Sequence, residues 1–218
     1  MTRRLIVFGA SGHMKDVAFI VESRAGDWEF VGILDDNPAL KGTTCADRPV
    51  LGEVSMWREF RDHAFVVAVG APRARAAIVS AIMGQGAPEF ATLVHAAANV
   101  SRNAMLGAGC MIGPGACVSY DATLGQHVIV NAGATIAHDD RIGDFCTIAP
   151  QVTLSGNVTL EDGVEVGTAA AIRQGTSVGR GAMIGMGSVV TRDVDANTCI
   201  IGNPARVLKM LPAFGKPS

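Results

Sequence analysis

The sequence predicts a mixed architecture. A small Rossmann-like α/β domain is expected over residues 1–88, a parallel β-helix of hexapeptide repeats over 89–205, and a tail over 206–218. Two observations predict it. From Val94 to Val190 every sixth residue is Leu, Ile or Val, without one insertion. Before that run, short apolar stretches alternate with glycine turns and helical patterns. Composition agrees with both: hydrophobic residues make up 49% and aromatic residues only 5%, so the core must be aliphatic. The 26 glycines lack the three-residue period of collagen.

The first domain reads in order. Leu5–Phe8 is a short buried strand, Gly9-Ala-Ser-Gly12 a turn, and His13–Val21 a helix. Phe30–Leu34 is a second strand that ends at Asp35-Asp36-Asn37-Pro38. Val54–Arg61 suits a helix, Phe65–Val69 a third strand ending at Gly70, and Arg73–Met83 another helix. Helical patterning stops near Pro88. Strands alternating with helices imply a small parallel sheet.

The repeat follows two rules. One aliphatic residue opens each hexad, and four places further on stands a small or β-branched residue, such as Ala116, Ala122, Val128, Ala134 or Cys146. The single exception is Asp140, inside Asn131–Pro150, NAGATIAHDDRIGDFCTIAP. A six-residue period of this length fits three short strands per turn, each pointing one aliphatic residue inward. Residues 18 apart then lie above one another, about 4.8 Å per coil, in a prism roughly 27 Å tall.

Composition also excludes functions. A net charge of −2 argues against a nucleic-acid surface or a polybasic membrane patch. Neither a leader pattern nor an apolar run of membrane-spanning length stands out. The five cysteines are odd in number and lack paired zinc-type spacing, so they read as small apolar residues of a reducing cytosol. A cytoplasmic protein is expected.

The chemistry-bearing positions fall in both parts. Gly9-Ala-Ser-Gly12 can set backbone N–H groups and a helix N-terminus against a phosphate. Its G-x-x-G spacing lacks the full dinucleotide fingerprint, which favours a nucleotide sugar over a dinucleotide. Asp35 and Asp36 stand where doubly wound sheets recognise a ribose or base, and Gly70 and Arg73 stand at the same crevice. His13 opens the first helix beside the loop. In the β-helix, His138 takes a lateral place, with Tyr120 one coil below and Gly156 one coil above. A histidine beside a carboxylate, Asp139, under a bare backbone donor at Gly156 suits acyl transfer. His95 and His127 occupy other hexad places, so a three-histidine zinc site would need neighbouring subunits; no metal is expected. His63 reads as a surface residue at a helix end.

With these residues in place, the chain resembles the bacterial sugar O/N-acyltransferase family of left-handed β-helix enzymes, the sialic-acid O-acetyltransferase and nucleotide-aminosugar N-acetyltransferase type. The resemblance rests on GASGH at 9–13, LDDNP at 34–38, VAVG at 67–70, VNAGATIAHDDRIGDF at 130–145, and GMGSVVTRDV with IGNPARVLK at 185–209. It implies acetyl-CoA lying between two β-helices of a homotrimer and a nucleotide-linked sugar on the first domain. It implies His138 as general base supported by Asp139, Asn131 lining the acceptor site, and Gly156 donating its amide to the acetyl carbonyl. Ser11, Gly12, His13, Asp35 and Asp36 fall on positions that contact the nucleotide sugar.

Two departures stand out. Thr147 occupies the place of a second histidine that in the family assists the acyl donor. Met14 replaces a glycine and is expected to reshape the sugar pocket. The leading reading is direct transfer of acetyl from acetyl-CoA to the amino group of a nucleotide-linked amino sugar. No serine or cysteine is paired with His138 to form an acyl-enzyme. Arg206 and Lys209 are candidates for the CoA phosphates. Sugar O-acetylation and a non-catalytic nucleotide-sugar-binding subunit are the alternatives.

Overall fold

A computed structural model describes residues 2–215 of the chain. The α/β domain holds β1 (Arg3–Phe8), α1 (Gly12–Ser23), β2 (Trp28–Leu34), β3 (Thr44–Cys45), β4 (Arg48–Gly52), β5 (Ala64–Val67), α2 (Pro72–Met83) and β6 (Glu89–Phe90). Its sheet runs in the order β3-β4-β2-β1-β5-β6, parallel except for the β3–β4 hairpin. The chain builds outward from β1 on one side, then crosses to β5 on the other. The topological switch therefore lies between β1 and β5, where open α/β sheets bind ligands at the strands' carboxyl ends.

Two local readings need correcting. Val54–Phe60 is a 3₁₀ helix, a short connector that buries only Trp57 and gains too little apolar contact for a full α-helix. The β3–β4 hairpin is not visible in the hydrophobic pattern. Its turn puts Ala46 and Asp47 at φ 45° and 59°; alanine gives no sign of such a conformation, and Ala-Asp is not a hairpin pair such as Asn-Gly or Asp-Gly.

Strands β7 (Leu93–Val94) to β23 (Val189–Val190) are each two residues long and form a triangular, left-handed β-helix. Every coil pairs in parallel with the residue 18 further on, as in Met111↔Ile129 and Cys117↔Thr135. The first face carries strands at 93, 111, 129, 147, 165 and 183; the second those at 99, 117, 135, 153, 171 and 189; the third those at 105, 123, 141, 159 and 177. Both hexad rules have one cause. From Ile112 upward the opening aliphatic residues and the small residues four places on fill the axis of the prism, and almost all are fully buried.

The first face is not free. Leu93, Met111 and Ile129 point outward from it into the same cluster as Met14, Val17 and Ile20 of α1, so the α/β domain packs flat on that face. Where a tail was expected from residue 206, Ala205–Met210 forms β25, antiparallel to β24 (Thr198–Gly202) at the end of the first face. Residues 216–218 of that segment lie outside the described residues.

Candidate active site

The loop after β1 is fixed by side chains expected to meet a nucleotide. Gly9 has φ 95°, and a Cβ there would stand 3.1 Å from the Val69 side chain, so β1 and β5 close together only with glycine. Ala10 N–H donates to Asp35 Oδ2 at 2.7 Å, and Asn37 N–H donates to Asp35 Oδ1 at 2.8 Å. The Ser11 hydroxyl donates to Ala68 O at 2.8 Å. Asp36 accepts the Val54 N–H at 2.8 Å. Asp35 and Ser11 thus shape the phosphate loop, and Asp36 caps the next turn. These bonds hold the loop open at the start of α1, where Gly12 is exposed and the helix N-terminus carries positive partial charge.

His13 stands across the crevice from Gly70, where an added Cβ would lie 3.7 Å from His13 Nδ1. Asp16 Oδ2 is 3.2 Å from the same nitrogen, while burial pulls the His13 pKa below its ordinary value. His13, Asp16, Phe19 and Ile20 line one wall of a cleft of about 280 Å³. Met111, Pro114, Ile129, Asn131 and Pro150 line the other. This cleft joins α1 to the β-helix edge between the first and second faces. It brings His13 and Asn131 together, although the Asn131 side chain spends one N–H on Ile148 O at 2.9 Å.

His138 lies elsewhere, at the corner between the second and third faces. Its side chain is 56% exposed, and Nδ1 sits 2.8 Å from Asp139 Oδ2. Asp139 reaches it from a left-handed corner conformation, φ 62°. Gly156, φ 83°, covers the imidazole: a Cβ there would stand 3.0 Å from Nε2 and 3.1 Å from Cε1. Among the described residues no acceptor takes the Gly156 N–H. The ring is therefore oriented by a carboxylate at Nδ1, confined from above by glycine backbone, and left with Nε2 for a substrate proton. Tyr120, 46% exposed, forms the coil below, and its carbonyl accepts the Asp139 N–H.

Thr147, Met14, Arg73 and His63 stand elsewhere than their sequence positions suggest. Thr147 is buried on the first face, where its hydroxyl donates to Gly70 O at 2.6 Å and accepts from Arg75 Nη2 at 2.9 Å. Thr147 and Gly70 thus meet each other at the domain seam, and the Thr147 hydroxyl proton is already committed. Met14 is fully buried in the core beneath α1, away from the lining of the cleft. Arg73 reaches Gly181 O at 3.3 Å and covers the Phe214 ring, so it leaves the crevice. His63 is buried, 2.6 Å from Asp62. His95 packs on Phe19, and His127 stacks on Phe145 and meets Phe90 edge-on, with burial lowering its pKa to about 4. Among the described residues no three His, Cys, Asp or Glu side chains come together as a metal site. Burial pushes the Cys110 and Cys146 thiols up to about 11 and about 12, which leaves them inert. Arg206 and Lys209 lie exposed on β25. No helix among the described residues is long and apolar enough to cross a membrane.

One buried cation has no signal in the sequence. Arg75 of α2 reaches from the α/β domain into the β-helix, and nothing in its helical pattern marks it as different from Arg73.

Known proteins share this plan. Residues 4–82 match the PglD N-terminal domain family. The acetyltransferase domain of PglB from Neisseria gonorrhoeae FA1090, solved in complex with acetyl coenzyme A, is 32% identical, with a TM-score of 0.86 over 95% of this chain and 100% of that chain. A GDP-perosamine N-acetyltransferase from Caulobacter crescentus, a variant solved with CoA and GDP-perosamine, is 27% identical, with a TM-score of 0.86 over 94% and 96%. WeeI from Acinetobacter baumannii AYE is 29% identical, with a TM-score of 0.83 over 95% and 100%. Identity at this level across both domains, with the loop after β1 and the His138 corner in place, assigns the chain: it belongs to the hexapeptide-repeat sugar acyltransferases.

Proposed function

We propose that the protein transfers the acetyl group of acetyl-CoA to the amino group of a nucleotide-linked amino sugar. The single observation that carries this is the His138 corner: an exposed imidazole held at Nδ1 by Asp139, under the unpaired amide of Gly156. His138 Nε2 takes the proton as the amine attacks the thioester carbonyl. The Gly156 N–H meets the oxyanion, and the thiolate of CoA leaves. Asp139 orients the ring and favours the imidazolium that forms. Direct transfer needs no nucleophile of the protein, and the buried Cys110 and Cys146 thiols offer none.

The α/β domain supplies the acceptor. The loop after β1, with the Gly12 amide, takes the diphosphate, and His13 and Asn131 flank the path of the sugar. Ser11 and Asp35 act by holding the loop, Asp36 by fixing the turn beyond it, and Gly70 by the close approach of β5. The PglB domain binds acetyl-CoA and the Caulobacter enzyme binds GDP-perosamine, which supports the same pair of ligand classes here.

One chain does not bring these parts together. The cleft with His13 opens at the edge between the first and second faces; His138 sits on the edge between the second and third. A neighbouring subunit that sets its His138 edge against this cleft completes the site. A homotrimer closes such contacts three times over.

The test is thiol release from acetyl-CoA with UDP-, GDP- and dTDP-linked amino sugars, alongside sedimentation of the same sample. Turnover with one amino sugar in a trimeric sample is expected. Thiol release only with hydroxyl sugars would replace N-acetylation by O-acetylation.

A further inference from the structure

Asp140 breaks the rule that the fourth place after each aliphatic residue is small, and its side chain is fully buried (0% exposed). The reason lies in the hydrogen bonds of the second face. The residue after each strand there normally donates its N–H to the strand one coil up: Ser101 to Val118, Ser119 to Ile136, Ser155 to Ile172, Arg173 to Val190. Ala137 should donate to Leu154 and does not. Strands Thr135–Ile136 and Thr153–Leu154 pair only at Thr135↔Thr153, whereas their neighbours on this face pair at both residues. The Ala137 N–H goes to Asp140 Oδ2 at 2.8 Å instead. The other oxygen, Oδ1, accepts the Val158 N–H at 2.8 Å. In comparable corners that amide stays within its own coil, as Ala104 to Ser101 and Thr176 to Arg173.

The carboxylate thus replaces one rung of the ladder and one turn bond. Both lie where the chain carries the proposed base and oxyanion donor. Ala137 immediately precedes His138, and Val158 follows Gly156 by two residues. We propose that Asp140 is a positioning residue for acyl transfer: its two oxygens tie the amide just before His138 to the amide two residues beyond Gly156, which fixes the imidazole relative to the Gly156 N–H. This inference rests on the acyl-transfer reading above.

The arrangement carries a cost that the fold alone does not require. Burial raises the Asp140 carboxyl to about 6, against the two N–H donors and the His138 ring, while Asp139 adds repulsion. The coil above presents only the Val158 amide, and the place one coil below is Ala122. A raised carboxyl in the folded state means that stability is lost as pH rises from about 4 to about 6, then levels. Alanine occupies this same place in other hexads, at Ala116, Ala122 and Ala134. Asp140→Ala therefore lets the ordinary ladder bond re-form.

The experiment measures thiol release and thermal unfolding for wild type, Asp140→Ala and Asp140→Asn, using the amino sugar that wild type turns over. Asp140→Ala is expected to melt higher than wild type, by a margin that widens from pH 4 to pH 6. Its kcat is expected to fall on the order of 10–100-fold, with KM for both substrates within about threefold. Asp140→Asn keeps the shape with one acceptor, and a reduced kcat at unchanged KM is expected there too. An active wild type with kcat unchanged in either variant overturns the inference alone. So does an Asp140→Ala protein that loses its cooperative transition, which would make Asp140 a structural clamp. A wild type that releases no thiol overturns the acyl-transfer reading, and this inference with it.

Discussion

His138→Ala is expected to lower kcat by 10²–10⁴-fold, the range that a positioned general base supplies, while leaving nucleotide-sugar affinity within about twofold of wild type. At 1.36 kcal/mol per decade this is about 3–5 kcal/mol of transition-state stabilisation. The size follows from what surrounds the ring. Asp139 lies on Nδ1, the Gly156 carbonyl is taken by the Gly175 N–H, and Asp140 is fully buried with both oxygens engaged by backbone amides. With the imidazole removed, the base that remains is the Asp139 carboxylate, which stands on the Nδ1 side of the lost ring and away from the position of Nε2. The α/β domain is untouched, since the corner between the second and third faces lies away from the first face on which that domain packs. Steady-state thiol release and titration calorimetry with the chosen nucleotide sugar measure the two halves separately. A variant that keeps more than a tenth of wild-type kcat would remove His138 from the mechanism. Equal losses in turnover and sugar binding would instead make the histidine part of the acceptor pocket.

The legibility of this molecule in its sequence divides along physical lines. The β-helix could be read almost residue by residue, because each hexad repeats one local requirement and neither an amphipathic helix nor an ordinary strand produces an uninterrupted six-residue period. His138 and Gly156 were found by the same arithmetic: an offset of 18 predicts stacking, and the glycine does cover the ring. Asp140 was visible as an exception but not as a device, because its role depends on a ladder bond that fails one coil above. Ser11, Asp35 and Asp36 were read as ligand contacts from their place in the loop. Their hydrogen bonds run inward to Ala68, Ala10 and Val54, which no spacing rule reveals. Met14 and Thr147 were read as pocket departures, yet both face the packing between domains. Packing of one domain on another has no period, so the sequence carries no signal for it.

Arg75 shows what that seam demands. Its side chain is 1% exposed and has no carboxylate within bonding distance. The guanidinium instead donates to Val69 O and Gly70 O on the α/β side, and to His127 O, Phe145 O, Cys146 O and Thr147 Oγ1 on the β-helix side. Burial lowers its pKa to about 10, opposed weakly by Glu165, so it stays charged at neutral pH. Carbonyl oxygens converging from two domains repel one another and need a shared planar cation. Arginine's fixed fork of five donors can satisfy them, whereas a lysine ammonium has three donors and no fork. Arg75→Met keeps the length and removes the donors, leaving buried carbonyls unpaired. The expected loss is about 3–5 kcal/mol in urea unfolding, and Arg75→Lys should recover only part of it. The axis of the β-helix is a core of its own, whereas the α/β domain shares its core with Leu93, Met111 and Ile129 of the first face, so the Arg75→Met transition is expected to split in two, with the α/β domain melting first. Gly70 closes the crevice beside His13 and shares this cation with Thr147. Loosening the seam therefore moves the acceptor loop as well, and KM for the nucleotide sugar is expected to rise more than KM for acetyl-CoA. A single transition at wild-type midpoint would mean that the carbonyls find water without the guanidinium, and the seam would then rest on its apolar contacts and its other hydrogen bonds, such as Thr147 to Gly70.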